Sequence, residues 1–378
     1  MVVFSAAADR DVEAYLRSGA AETAVDTSYP VRRVLEALLV PLVALVLAAG
    51  AFSLFLLFLG KAPADFFALV WRGAFGSWFS FQNTLQRAAP LLLTALCVAI
   101  PAHLGLVVIG GEGAVVLAGL AAAAVAPAPL LVGLPPLIVQ LSMGLAGIIA
   151  GGAWIGFAGW LRARRGINET ISSLLLAYVA LAVFNHIVEG PLRDPLSLNK
   201  PSTAPIGDVN MLGTLPGTDV HPGLTFGIIA CIAFWVLIHR TSFGFACRVT
   251  GGNIRAAQLQ GLPVARLIVI VCALGGACAG LAGVIEVAAV HGNANASLAA
   301  GYGYAGILIA FLARHNPLAI MPMALLVGGI TASGGLVQRR LNVPDATVLV
   351  LQGMIFLSIL TSETFYGRLR WFQPRGTV

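Results

Sequence analysis

Long apolar runs, separated by short polar or glycine- and proline-rich breaks, organise this chain. Ten stand out, at about 34–59, 84–109, 113–132, 136–161, 170–189, 223–239, 265–290, 301–313, 317–334 and 346–361. Most approach the ~20 residues that an α-helix needs to cross a hydrocarbon layer. They are unbroken, unlike the roughly ten-residue alternating segments of a membrane barrel. The run 301–313 is short and glycine-rich, which predicts a tilted or broken helix held between neighbours. Residues 62–81 are amphipathic and carry Phe66, Phe67, Trp71, Trp78 and Phe79. Aromatic rings favour the headgroup level, so this stretch predicts a segment lying at the membrane interface.

Composition sharpens the picture. Only 10% of the 378 residues are charged, 58% are hydrophobic, and the mean hydropathy is +0.91. A soluble domain carries about 25% charged residues. That leaves too little polar surface for a water-facing globule and excludes disorder, a nucleic-acid-binding domain and an ordinary cytosolic enzyme. In lipid, backbone polar groups must be bonded internally, which leaves helices as the solution here. The expected class is all-α: a polytopic membrane helical bundle of about ten transmembrane helices. Cys97, Cys231, Cys247, Cys272 and Cys278 show no C-x-x-C pairing and lie in or beside apolar runs, as small buried hydrophobes do.

Residues 1–33 hold Asp9, Asp11, Glu13, Glu22 and Asp26, which is not a signal peptide. They predict a cytoplasmic tail with an amphipathic helix over 9–18. Residues 34–362 form the membrane domain, and 363–378 a second cytoplasmic tail. Ten spans put both termini on one side. With that side inside, roughly two thirds of the 22 Lys and Arg residues fall in inner segments, as the positive-inside rule requires. The net charge of +6 is thereby explained without nucleic acid. The longest outer segment, 190–222, has prolines at 191, 195, 201, 205, 216 and 222, which predict an ordered, non-helical excursion.

The longest inner loop, 240–264, predicts a short helix. Asn253 is a good N-cap, Ala256, Ala257 and Leu259 are good helix formers, Gly261 suits the C′ position and Pro263 stops continuation. A two-turn helix is marginal alone in water. A partner's groove would hold it, with Ala256, Ala257 and Leu259 as a small apolar face for a close-fitting socket. The plainer alternative is a connector packed on its own bundle.

Polar groups at membrane depth are costly and usually functional. Glu286 lies in the seventh run, either as a pathway-lining acceptor or as a carboxylate reaching interface water. Glu112 sits in a glycine-rich break, near a pathway or at a helix start matched to the helix dipole. Asn168 and Glu169 open the fifth run as a cap and a dipole-matched acid, with a partner contact as the second reading. His103 could line the path or bond a backbone carbonyl. Gly152-x-x-x-Gly156 and Gly276-x-x-x-Gly280 allow close helix crossings. The sequence contains no G-x-x-x-x-G-K-[ST] phosphate cradle, no metal-ligand spacing among its six histidines and no enzyme motif.

Several stretches together resemble one family. The loop carrying Gly252, Asn253, Arg255, Ala256, Ala257 and Gly261 resembles, over 251–261, the "G-x-N-x-x-A-A-x-x-x-G" coupling segment of permease subunits of ABC importers, in particular those for nucleosides and simple sugars. Ile109–Gly113 resembles that family's "N-I-G-G-E-G-Q", Arg164–Leu174 its "R-R-G-x-N-E-V-I-S-T-L", Gly190–Pro195 its "G-P-L-R-D-P" and Gly301–Ile307 its "G-Y-G-F-x-G-I". The matches spread over about 105–355 and favour the nucleoside-type branch. The chain departs at Val108, where the family usually has Asn, and at Ala114, where it often has Gln; both bear on the ligand. The resemblance implies a permease working with an ATP-binding cassette ATPase that holds ATP-Mg, a second permease subunit, identical or related, and a solute-binding protein. It implies no cofactor and no metal in this chain, and a place in the bacterial cytoplasmic (inner) membrane. The rival from another class is an ion-coupled secondary transporter using Glu112 and Glu286.

Overall fold

The computed structural model describes residues 29–363 except 129, 130, 132, 199 and 345, with the backbone alone for 29–38, 40 and 363. The expected helix over 9–18 and the tail 364–378 lie outside these residues. The described chain is helical: α1 (Tyr29–Phe58), α2 (Pro63–Phe75), α3 (Trp78–Ala102), α4 (Gly111–Val125), α5 (Pro136–Arg165), α6 (Glu169–Glu189), α7 (Gly223–Arg240), α8 (Ser242–Gly252), α9 (Ile254–Leu259), α10 (Val264–Ile285), α11 (Tyr302–Leu312), α12 (Pro317–Leu341) and α13 (Ala346–Glu363). Among the described residues there are isolated β-bridges but no strand. Residues 49–356 form one compact unit, apart from the described ends 29–48 and 357–363.

Among the described residues, seven helices are long and apolar enough to cross a membrane, and three shorter apolar helices accompany them. This makes the chain a multi-pass membrane protein. The apolar runs found the helices, but some boundaries move. The run 84–109 is helical only to Ala102, and residues 103–110 form a non-helical link. The run 113–132 ends its helix at Val125. The interfacial stretch 62–81 is two elements, because Ser77 accepts a bond from Ser80 N and starts α3 there.

Within the unit 49–356, two runs of helices embrace each other. In each, a long helix (α3 or α10) leads through a link into a half-length helix (α4 or α11), then into another long one (α5 or α12). The pairing is exchanged: α5 packs along α10, and α12 along α3. The α5–α10 crossing is close because small residues meet there. A Cβ at Gly276 would stand 2.3 Å from the carbonyl of Gly151, and one at Gly280 2.3 Å from that of Gly147. The expected Gly276-x-x-x-Gly280 pair is therefore at the seam. Its nearest partners are Gly147 and Gly151; Gly152 and Gly156 border the crossing, against Ala273.

At 15 and 11 residues, α4 and α11 rise about 22 and 17 Å, too short to span ~30 Å of hydrocarbon. Their N-termini meet inside the bundle. A Cβ at Gly303 would fall 2.1 Å from the backbone N of Glu112, so only glycine fits there. The expectation of a broken helix at 301–313 thus holds in a specific form.

Candidate functional site

Three groups of polar residues stand out. The first is the helix junction. Glu112 is 1% exposed. Its Oε1 accepts from Gly301 N at 2.7 Å and its Oε2 from Gly303 N at 2.6 Å. It therefore stands in the first turn of α4 and caps α11. The donors are N–H groups that α11 cannot satisfy itself, and the α11 dipole favours a negative charge there. Neither reading of Glu112 from sequence anticipated a cap on a different helix. In this structure the carboxylate is closed inside the subunit rather than facing an open path.

The second group surrounds Glu286, which is 3% exposed. It opens a π-helical segment, Glu286–His291, that continues α10. Such segments occur frequently at functional sites. The Tyr302 hydroxyl donates to the Glu286 carboxylate and takes a bond from Arg87 Nη1 at 3.4 Å. His291 Nε2 lies 3.6 Å from Glu286 Oε2. The reading of Glu286 as a water-reaching carboxylate is replaced by a buried network joining α3, α10 and α11. Arg87, at the start of the run 84–109, and Tyr302, within the Gly301–Ile307 stretch, are not singled out by the sequence, because neither segment shows that the two meet Glu286.

The 190–222 loop lies against this region. Thr203 N donates to Ala294 O at 3.0 Å, Ile206 N to Gly292 O at 2.9 Å and Leu212 N to Ala288 O at 2.7 Å. Lys200 bonds Ser297. Among its described residues the loop is ordered and, apart from the 3-10 turn Asp208–Asn210, non-helical, as its prolines predict.

The third group is the α8–α9 elbow. The Thr241 hydroxyl accepts from Gly244 N and starts α8. Asn253 Oδ1 accepts from Ala256 N at 3.1 Å, so the predicted cap and the two-turn helix are both present. Gly261 takes the left-handed conformation, φ +77°. The predicted apolar face needs correction. Ala257 is 0% exposed, packed on its own chain, and Ala256 is half-buried, whereas Leu259 is 90% exposed. Ile254 and Leu259 present the free apolar surface, flanked by Gly252, Asn253 and Arg255. The amphipathic turn hides the alanines and shows the larger residues.

The elbow reaches the membrane part through the 103–110 link. A Cβ at Gly251 would stand 2.3 Å from the carbonyl of His103. Asn168 caps α6 through Thr170 N at 2.9 Å, as expected. Glu169 pairs with Arg162 at 3.3 Å and accepts from Val107 N at 3.4 Å. Thr170 Oγ1 donates to Val107 O at 2.8 Å, and Ser173 Oγ accepts from Ile109 N at 3.1 Å. Glu169, Thr170 and Ser173 therefore stitch the link to α6. Thr170 and Ser173 lie inside the N-E-T-I-S-S-L stretch, but nothing in that stretch singles them out. His103 is half-buried, faces the backbone carbonyl of His315, and keeps a buried Nε2 that has no hydrogen-bond partner among the described residues. Burial, then the charges of His315 and His239, push its pKa down to about 4. The described residues hold no cluster fit to bind a metal ion, and all five cysteines are buried and free.

Against known proteins, residues 80–360 match the family described as branched-chain amino acid transport system / permease component. The chain is 33% identical to a glucose ABC transporter permease protein from Haloferax volcanii, over 87% of this chain and 88% of that protein. It is 29% identical to a guanosine ABC transporter permease protein from Bacillus subtilis, over 87% and 94%. It is 27% identical to a nucleoside ABC transporter permease protein from Lactococcus lactis, over 84% and 89%. These relatives are ABC permeases, so the ion-coupled reading gains no support. The chain belongs to this permease-component family and is a membrane-spanning permease subunit of an ABC transporter.

Proposed function

We propose that the chain imports a small polar solute, a nucleoside or a simple sugar, as one of two permease subunits whose interface forms the pathway. The permease match over residues 80–360 carries the reading. Relatives for guanosine, nucleosides and glucose support the ligand class. The three short apolar helices bring the membrane segments to ten, with both termini cytoplasmic and the protein in the bacterial inner membrane. An ATPase subunit holding ATP-Mg docks on the elbow, touching Ile254, Arg255 and Leu259, with Asn253, Ala256, Ala257 and Gly261 keeping the helix in shape. This chain itself holds no cofactor and hydrolyses nothing. A solute-binding protein docks on 190–222, and closure of the ATPases moves the elbow and, through the 103–110 link, the bundle. Glu112, Glu286 and His103 act on the pathway from behind, by fixing the helices around it.

The test is uptake by vesicles holding the co-expressed system and its binding protein, offered labelled guanosine, uridine and glucose. The expected result is uptake that needs ATP and persists with a protonophore. Uptake that ignores ATP and collapses with the protonophore would contradict the proposal.

A further inference from the structure

Beside the α5–α10 crossing, the outer surface of the bundle is grooved. One stretch of about 510 Å³ is floored by Gly152, Gly156, Ala273 and Ala277 and walled by Ile149 and Leu274. A second, of about 260 Å³, continues it; Val269 and Ile270 line both. This second stretch ends between Trp160, Arg164 and Arg266. Both arginines are exposed, and neither has an ion-pair or hydrogen-bond partner among the described residues. Their neighbour Arg162 differs, being paired with Glu169.

We propose that this groove is a binding site for one anionic phospholipid of the bilayer. An acyl chain lies along the small-residue floor, and the phosphate sits between Arg164 and Arg266. The geometry is that of a lipid standing in one leaflet: an apolar trough, an indole at its rim, and two uncompensated positive charges at the mouth. Trp favours the headgroup level, and a basic pocket between membrane helices on the cytoplasmic side suits an anionic headgroup. Arg164 lies in the arginine-rich end of α5, the end that the charge distribution puts on the cytoplasmic side, where anionic lipid is attracted most strongly. A neutral lipid would fill the trough and leave both guanidinium groups facing each other's field. Charge complementarity at the mouth therefore selects the anionic headgroup. The floor exists because α5 and α10 approach on glycine: the close crossing at Gly151 and Gly276 leaves Gly152, Gly156 and Ala273 too small to fill the surface beside it.

The experiment uses the intact transporter, co-expressed with its partner subunits and placed in nanodiscs of phosphatidylcholine with or without phosphatidylglycerol. Native mass spectrometry then counts retained lipid. Two arginines at the headgroup level predict a preference for phosphatidylglycerol on the order of tenfold to thirtyfold. Arg164→Gln with Arg266→Gln abolishes it while leaving melting in pure phosphatidylcholine unchanged, since neither side chain holds the fold. Equal retention of the two lipids, or an unaltered preference in the double variant, would overturn the proposal. So would an Ile270→Cys variant that crosslinks efficiently to the second permease subunit, because the groove would then be a subunit seat.

Discussion

The Glu112 junction and the α9 elbow carry two of the most distinctive stretches in the chain, yet the structure treats them oppositely. At Glu112 the motif is turned inward: both carboxylate oxygens meet backbone N–H groups of another helix, and Gly110, Gly113 and Gly303 have no room for a Cβ. At α9 the polar cap is satisfied locally, Ala257 is hidden and Ala256 half-buried, and Ile254 and Leu259 stand exposed. A motif that closes on its own chain builds architecture. A motif that leaves large apolar side chains exposed on a two-turn helix still lacks its partner. On the function proposed above, the difference separates residues whose loss should unfold the permease from residues whose loss should uncouple it.

Substitutions should split along that line. Gly303→Val is the severest, since its Cβ would overlap the Glu112 backbone; it should abolish monodisperse protein in detergent chromatography. Glu112→Ala leaves two buried donors without acceptors, at roughly 1–3 kcal/mol each. Glu112→Gln keeps one acceptor and should lose about half as much; thermal melting in one detergent gives the order. Leu259→Asp should leave melting within about 0.5 kcal/mol, as surface changes do. Yet it should cut ATP-driven uptake at least tenfold. Asn253→Ala removes a cap and should cost about 1 kcal/mol locally. Hydrogen exchange of α9 reads that change with no shift in global melting.

The smallest effect concerns pH. Burial, and then His315 and His239, hold His103 neutral, with a pKa of about 4 against an ordinary 6.5. The folded state therefore binds fewer protons than the unfolded one in this window. The contribution is fully present above 6.5 and is lost as pH falls from 6.5 towards 4. His103→Gln should flatten that part of the stability profile and leave the profile above pH 7 unchanged.

Much of the fold was legible because apolar length reports membrane helices directly. Each of the ten runs contains a helix, and Asn168, Asn253, Gly261 and the prolines of 190–222 act as their local chemistry demands. Legibility failed where the answer depends on what lies across the bundle. The link 103–110 is apolar enough to read as helix; Gly105, at φ +72°, turns the chain out of α3, and bonds to Glu169, Thr170 and Ser173 hold its further course. Glu112 looks like a cap for its own helix, because nothing local announces that Gly301 and Gly303 arrive 189 and 191 residues later. The exposed side of α9 escapes for the same reason: six residues fix a helix but not which face its neighbours cover.

The central claim is that the exposed face of α9 is the ATPase seat while the rest of the motif serves the fold. The most direct test is a tagged pull-down of this chain, co-expressed with its neighbouring genes, as wild type and as Leu259→Asp. The account predicts that the wild type brings down an ATPase, and that the variant keeps its melting temperature and its permease partner but loses the ATPase. Undiminished ATPase recovery with Leu259→Asp would contradict it.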